Sequence, residues 1–304
     1  MLFKSNLLAP CQPKDQIYSV STAVIFFINL KDYKLSIEYM TYVAQKRRGL
    51  TSNSQKINTI FIGSSHGDYG INSRMIPFSY NICTTSQDLY ESFSIYEFAR
   101  SLIPDINEVI LFYSAFSYAL NTSTSTEGFR SAALKLQFGI NFRDGNVYLR
   151  ESYTNLLCAK PLDTDDRFHA GFIHSLSPEP LPYEFTPARR AVAHSKLSAA
   201  KATEEESQHF YLSEILRTTS SYGKKFGIII PPMKADYRNA IEPKWKIFSA
   251  LYRFVADYDI KLLDLYDSCD FENFDFIDAD HLHPWGSGPG KVANLAQNYF
   301  GMHK

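Results

Sequence analysis

Two segments more than two hundred residues apart carry the residue types of nucleophilic catalysis. Thr59-Ile60-Phe61-Ile62-Gly63-Ser64-Ser65-His66-Gly67 is an apolar run that ends in a Gly-Ser-Ser turn. Asp278-Ala279-Asp280-His281-Leu282-His283-Pro284 is a carboxylate–imidazole cluster close to the C-terminus. A serine hydroxyl is a poor nucleophile until a base takes its proton, and the base works best when a carboxylate fixes its tautomer and steadies the imidazolium. Ser65, at a glycine turn, is placed to expose its Oγ, and the frame Asp280-His281-Leu282-His283 offers acid and base from one short loop. Together the segments point to acyl-transfer or ester chemistry.

The elements that must hold them alternate. Ile57 to Ile62, Tyr80 to Cys83, Val109 to Tyr113, Phe226 to Ile230 and Lys261 to Tyr266 read as short buried strands. Between them run helical patterns. Asp88 with Glu91 forms a capping box before Leu89, Phe93, Tyr96, Ala99 and Ile103. Thr203 with Glu206 suggests a second box, opening a helix that carries Phe210, Leu212, Ile215 and Leu216 inward. Trp245, Phe248, Leu251, Tyr252 and Val255 mark another helix, and Val292, Leu295, Ala296 and Tyr299 the last. Strand–helix alternation predicts an α/β fold, a flavodoxin-like three-layer sandwich with a central, mostly parallel five-stranded sheet.

The expected organisation is one domain over 1–304, with its core at about 57–118 and 222–304 and an N-terminal extension, 1–56. Residues of about 119–205 are polar and rich in turn formers, including Ser177-Pro-Glu-Pro-Leu-Pro182, and predict an insertion or lid after the third strand. Ligands of such sheets bind at the carboxyl ends of the strands. Ser64-Ser65-His66, Ser86-Gln87-Asp88, Ser114-Ala115-Phe116-Ser117 and Pro231-Pro232-Met233 fall there.

Composition removes several alternatives. A net charge of -1 with no long basic stretch argues against nucleic acid, and Lys46-Arg47-Arg48 is expected as a solvated helix end. The four cysteines, Cys11, Cys83, Cys158 and Cys269, have no metal-type spacing, which favours a reduced compartment. The most apolar run, Ala23 to Leu30, is too short to cross a bilayer and lacks the flanks of a signal peptide; a buried strand or helix in a cytoplasmic protein is expected. Asp278, Asp280, His281 and His283 are types that ligate divalent ions, but four ligands within six residues rarely wrap one ion, and no metal is expected.

The paired segments resemble the SGNH (GDSL-like) hydrolase superfamily, which carries its serine in a Gly-Asp-Ser block after the first strand and its acid and base in an Asp-x-x-His block before the last helix. Gly63-Ser64-Ser65 matches the first block with Ser64 in place of Asp. The string from Gly63 to Asn72 resembles a branch found among bacterial surface-polysaccharide proteins. Two registers fit the second block: Asp278…His281 followed by Gly286, and Asp280…His283 followed by Gly288. The position of Val292-Ala293 relative to the family's final helix and the His283-Pro284 step favour Asp280 and His283, with His281 and Asp278 in reserve or lining the pocket. His66 is grouped with that reserve, although solvent exposure is expected for it and for His194. The resemblance implies an oxyanion hole from the backbone N–H of Ser65 and of Ser86, the latter standing where the family has glycine. No asparagine follows the third strand where the family has one.

The implied activity is serine-dependent acyl transfer to a carbohydrate, an O-acetyltransferase modifying a bacterial surface or capsular polysaccharide with acetyl-CoA as donor and no other cofactor. A carbohydrate acetylesterase and a non-catalytic glycan-binding or assembly protein are the alternatives. The transferase reading places the chain in the cytoplasm or beside a membrane-bound assembly complex.

Overall fold

The computed structural model describes residues 30–143, 156–157, 170–172 and 186–302. Five strands, β1 (Thr59–Gly63), β2 (Ser79–Asn81), β3 (Glu108–Phe112), β4 (Lys225–Ile230) and β5 (Lys261–Asp264), form one all-parallel sheet in the order β2-β1-β3-β4-β5. Successive side chains of a strand point to opposite faces, so a sheet covered on both sides needs apolar residues at every position. The central strands meet this. Ile60, Ile62, Val109, Leu111, Ile228 and Ile230 enter one core cluster, while Phe61, Ile110, Phe112 and Ile229 enter the other.

The first face is covered by α1 (Leu30–Ser52), α3 (Leu89–Leu102), α4 (Gly128–Phe138), α6 (His209–Ser221) and α9 (Ser249–Tyr258). The second is covered by α10 (Gly288–Phe300), whose Val292, Ala293, Ala296 and Phe300 are buried. The short helices α2 (Ser65–Gly70), α5 (Pro187–Lys196), α7 (Ala235–Ala240) and α8 (Lys244–Ile247) lie in the connections. The three-layer α/β expectation holds, with the sheet wholly parallel. The capping box at Asp88 is present: Glu91 N donates to Asp88 Oδ1 at 2.8 Å, and Asp88 N to Glu91 Oε2 at 3.1 Å.

Several local expectations change. Thr203 and Glu206 do exchange hydrogen bonds, but in a turn, and α6 begins only at His209. Phe210 faces outward, as do Trp245 and Tyr299, while Leu212 and Ile215 are buried. Helix α1 lies within the presumed N-terminal extension, yet its Tyr39, Met40, Tyr42, Val43 and Leu50 belong to the main core and it packs on α4. Lys46, expected in solvent, is fully buried at 0 % exposure, and its ammonium lies 2.7 Å from Asp68 Oδ1. The physical reason is its partners: besides Asp68, the ammonium donates to Asn81 O at 3.4 Å and Cys83 O at 2.6 Å, at the end of β2. Cys83 is buried and free, and Cys269 exposed and free. Cys11, Cys158, the run from Ala23 to Asn29 and the segment Ser177–Pro182 lie outside the described residues. Among the described residues, no helix is long and apolar enough to cross a membrane.

A parallel sheet in this order reverses its winding between β1 and β3, and the carboxyl ends of those two strands bound a crevice. Ser64-Ser65 follow β1 and Ser114 follows β3.

Candidate active site

Ser65 is the first residue of α2, two residues past the end of β1. That strand–turn–helix is tight enough to dictate its glycines. Gly63 has φ 128°, and a Cβ there would lie 2.6 Å from Phe112 O. A Cβ on Gly67 would lie 2.5 Å from Cys83 Sγ and 2.7 Å from Phe112 Cδ2. The bare backbone lets α2 sit against β3 and carries Ser65 over the sheet edge.

The partner of Ser65 is His281. Its Nε2 lies 2.8 Å from Ser65 Oγ, and its Nδ1 lies 2.7 Å from Asp278 Oδ2. Asp278 also organises the loop: its Oδ1 accepts the amide N–H groups of Asp280 at 2.9 Å and His281 at 2.7 Å, wrapping the chain around one carboxylate. Ile277 N donates to His281 O, and Phe276 and Leu282 form an antiparallel bridge with both side chains in the core. The turn between them presents His281 to Ser65.

This arrangement corrects the choice of register. His283 accepts the Trp285 amide at its Nδ1 (3.3 Å) and stands edge-on to the Trp285 ring. Asp280 does not hold His283; it is 1 % exposed and faces the other way. Its Oδ2 lies 3.1 Å from His66 Nε2, and its Oδ1 lies 2.8 Å from Arg190 Nε on α5. His66, expected in solvent, is buried at 2 % exposure, with Nδ1 2.6 Å from Ser114 Oγ. Ser114 Oγ is in turn 3.0 Å from Ser64 Oγ. His194, also expected at the surface, lies beside this group, with Nδ1 2.8 Å from Tyr237 Oη and 3.6 Å from Asp280 Oδ2.

The charge states follow from these contacts. Burial pushes Asp280 up, but Arg190, His281 and His66 outweigh it and hold the carboxyl well below its ordinary value. Burial likewise pushes Asp278 up, and His281 brings it below the usual carboxylate range. Burial lowers His66, against the pull of Asp280. An ionised carboxylate only accepts hydrogen bonds. His281 therefore carries its proton on Nδ1 toward Asp278 and accepts the Ser65 hydroxyl at Nε2.

Burial takes His194 from its ordinary 6.5 down to about 3. A histidine with a depressed folded pKa contributes stability that is present above 6.5 and lost as pH falls from there toward 3, because the unfolded chain binds the proton first. The urea-unfolding free energy of the unsubstituted chain is expected to fall relative to that of His194→Gln in this window, by on the order of 1 kcal/mol per pH unit. A difference that stays constant from pH 7 to pH 4 would remove the buried neutral imidazole from the account.

Ser86 has φ 60°, in the left-handed region, with its Oγ on Glu127 Oε2 at 2.6 Å and its carbonyl bonded by Thr122 Oγ1. Thr84 N donates to Gly63 O at 3.1 Å, which sets the Thr84–Ser86 loop beside the turn that carries Ser65. As the first residue of α2, Ser65 has a backbone N–H of the kind a helix leaves without an intrahelical acceptor. His66, Asp280 and His281 each offer an atom of a type that could hold a metal ion, all within 4.8 Å of one another. Arg190 already supplies a positive charge at Asp280, and His281 Nε2 is engaged by Ser65, so the donor set is matched within the protein.

No family model matches the chain, and no curated protein matches its sequence. The reading of the site therefore rests on its geometry. Sequence reasoning missed Arg190 and Tyr237, which lie far from either motif; Ser114 was visible only as part of a strand-end segment.

Proposed function

We propose that this chain is a serine-dependent acyl-transfer enzyme of the SGNH (GDSL-like) kind, acting on a carbohydrate as an O-acetyltransferase with acetyl-CoA as donor. The observation that carries the reading is the continuous line from Ser65 Oγ through His281 to Asp278, at 2.8 and 2.7 Å. His281 Nε2 takes the Ser65 proton as Oγ attacks the acyl carbonyl, and Asp278 steadies the imidazolium. This reading assigns the developing oxyanion to the backbone N–H of Ser65 and that of Ser86. The imidazolium returns its proton to the leaving thiolate. A sugar hydroxyl then gives a proton to His281, attacks the acyl-serine and leaves as the ester, while Ser65 regains its hydrogen.

The same three groups serve hydrolysis when water replaces the sugar, which keeps a carbohydrate acetylesterase as the second reading. A glycan-binding protein without catalysis is favoured by two departures from the family's pattern: no asparagine follows β3, and Ser86 stands where the family has glycine. The test is turnover of p-nitrophenyl acetate, and of acetyl-CoA with candidate glycans, alongside Ser65→Ala. Turnover lost in Ser65→Ala supports the serine enzyme, and CoA release only with glycan selects the transferase. No turnover, or turnover that survives Ser65→Ala, sinks the proposal. A transferase using acetyl-CoA would work in the cytoplasm.

A further inference from the structure

A second chain of hydrogen bonds lies directly beside the first. The His66 and His281 rings are 4.9 Å apart at 33°, so the two lines of contacts run past each other. Directions in the second chain are fixed from its acid end. Ionised Asp280 accepts only, so His66 donates from Nε2; its Nδ1 then accepts from the Ser114 hydroxyl, and Ser114 Oγ accepts from Ser64. Ser64, Ser114, His66 and Asp280 are all at or below 2 % exposure. The serine of this second Ser–His–Asp series is therefore sealed from any substrate, and its hydroxyl proton is committed to His66.

The two chains meet at Arg190. Its Nε is 2.8 Å from Asp280 Oδ1, its Nη1 is 3.7 Å from Asp278 Oδ2 and its Nη2 is 3.4 Å from His281 Nδ1. Asp280 Oδ1 is itself 3.6 Å from His281 Nδ1. The base of the proposed reaction thus sits between one cation and two anions. The groups facing His281 are Asp278 and Asp280 from its own loop, Ser65, His66, Tyr69 and Asp68 from α2, with Lys46 of α1 behind Asp68, and Arg190 and His194 from α5.

We infer that Arg190, Asp280, His66 and Ser114 are positioning residues that fix His281 and balance the charge around it, making α5 of the insertion part of the reactive centre. The inference rests on the reading of Ser65 and His281 as the reacting pair. An imidazolium forms on His281 at each proton transfer. Arg190 alone would oppose it, and Asp280 alone would over-stabilise it and slow its return of the proton. The ion pair between them leaves the base able to move a proton in both directions. Fixing His66 by bonds at both nitrogens also gives the His281 ring a rigid neighbour to lie against.

The test reads His281 itself, in the full chain labelled with ¹⁵N-histidine and assigned through His281→Gln. Followed by NMR against pH, the His281 midpoint is expected to rise in Arg190→Met, to fall in Asp280→Asn and to return toward that of the unsubstituted chain in the double variant. Arg190→Lys, which keeps the charge, is expected to leave it nearly in place. The acid limb of kcat/KM for p-nitrophenyl acetate is expected to move with the same signs. A merely structural role would lower activity in every variant with no such pattern. Midpoints that stay fixed, or move in the same direction in the two single variants, overturn the inference. If Asp280→Asn does not fold, the contrast between Arg190→Met and Arg190→Lys decides alone. Shifts of the expected sign in a protein without turnover keep the inference and remove the enzymatic reading instead.

Discussion

In steady-state hydrolysis of an aryl acetate, His281→Ala is expected to lower kcat/KM by about four orders of magnitude, while His283→Ala changes it by no more than about threefold. The two histidines are two residues apart and each completes an Asp-x-x-His frame, but only His281 has its Nε2 on Ser65 Oγ. Removing it takes away both the acceptor for the serine proton and the donor for the leaving group. Removing His283 costs its bond from the Trp285 amide and its ring contact with Trp285, in a turn also fixed by the bond from His283 N to Asp275 O. The carboxylates separate in the same way. Asp278→Asn lets His281 adopt the wrong tautomer and is expected to approach the loss seen for His281→Ala, whereas Asp280→Asn acts on His281 through charge. Circular dichroism establishes folding of each variant. A folded His283→Ala as impaired as His281→Ala would overturn the assignment of the base.

How much of this was legible beforehand depended on the range of the physical cause. Strand and helix patterns follow from alternation and from capping chemistry within a few residues, so the five strands and the Asp88–Glu91 box could be read directly. Ser65 was legible for the same reason, since a strand, a glycine and a serine define the turn locally. The register of the acid–base loop was not. Both frames precede a suitable glycine and the same buried Val292-Ala293 pair. What separates them is the wrap of Asp278 around two backbone amides and the burial of Leu282, and neither changes the sequence pattern. His66 and His194 failed as expectations, and Arg190 went unforeseen, because burial of a polar side chain depends on partners far along the chain. Arg190 reaches Asp280 across 90 positions of sequence, with no periodicity to announce it.

Lys46→Met is expected to be the most damaging single change to stability outside the hydrophobic core, at about 3–5 kcal/mol, because it leaves a buried carboxylate without its cation. Lys46 and Asp68 are each 0 % exposed in their side chains, and the ammonium also donates to Cys83 O at 2.6 Å. Burial alone raises Asp68 above its ordinary 3.8, and Lys46 is the main opposing influence. Without Lys46 the folded-state value moves higher still, so the native variant holds a proton that the unfolded chain releases above 3.8. The sign follows: the variant's stability is greatest in acid and falls as pH rises, and its deficit against the unsubstituted chain widens once the pH passes the already raised folded value of Asp68 in that chain. Lys46→Met/Asp68→Asn removes the titrating group and is expected to recover part of the loss and all of the added pH dependence. The consequence reaches the site through geometry, since Asp68 lies three residues after Ser65 on α2 and Lys46 ties that helix to α1. Urea unfolding at several pH values measures the whole set. A deficit that is flat with pH, or a double variant no better than the single, would show that the pair does not act as a buried ion pair.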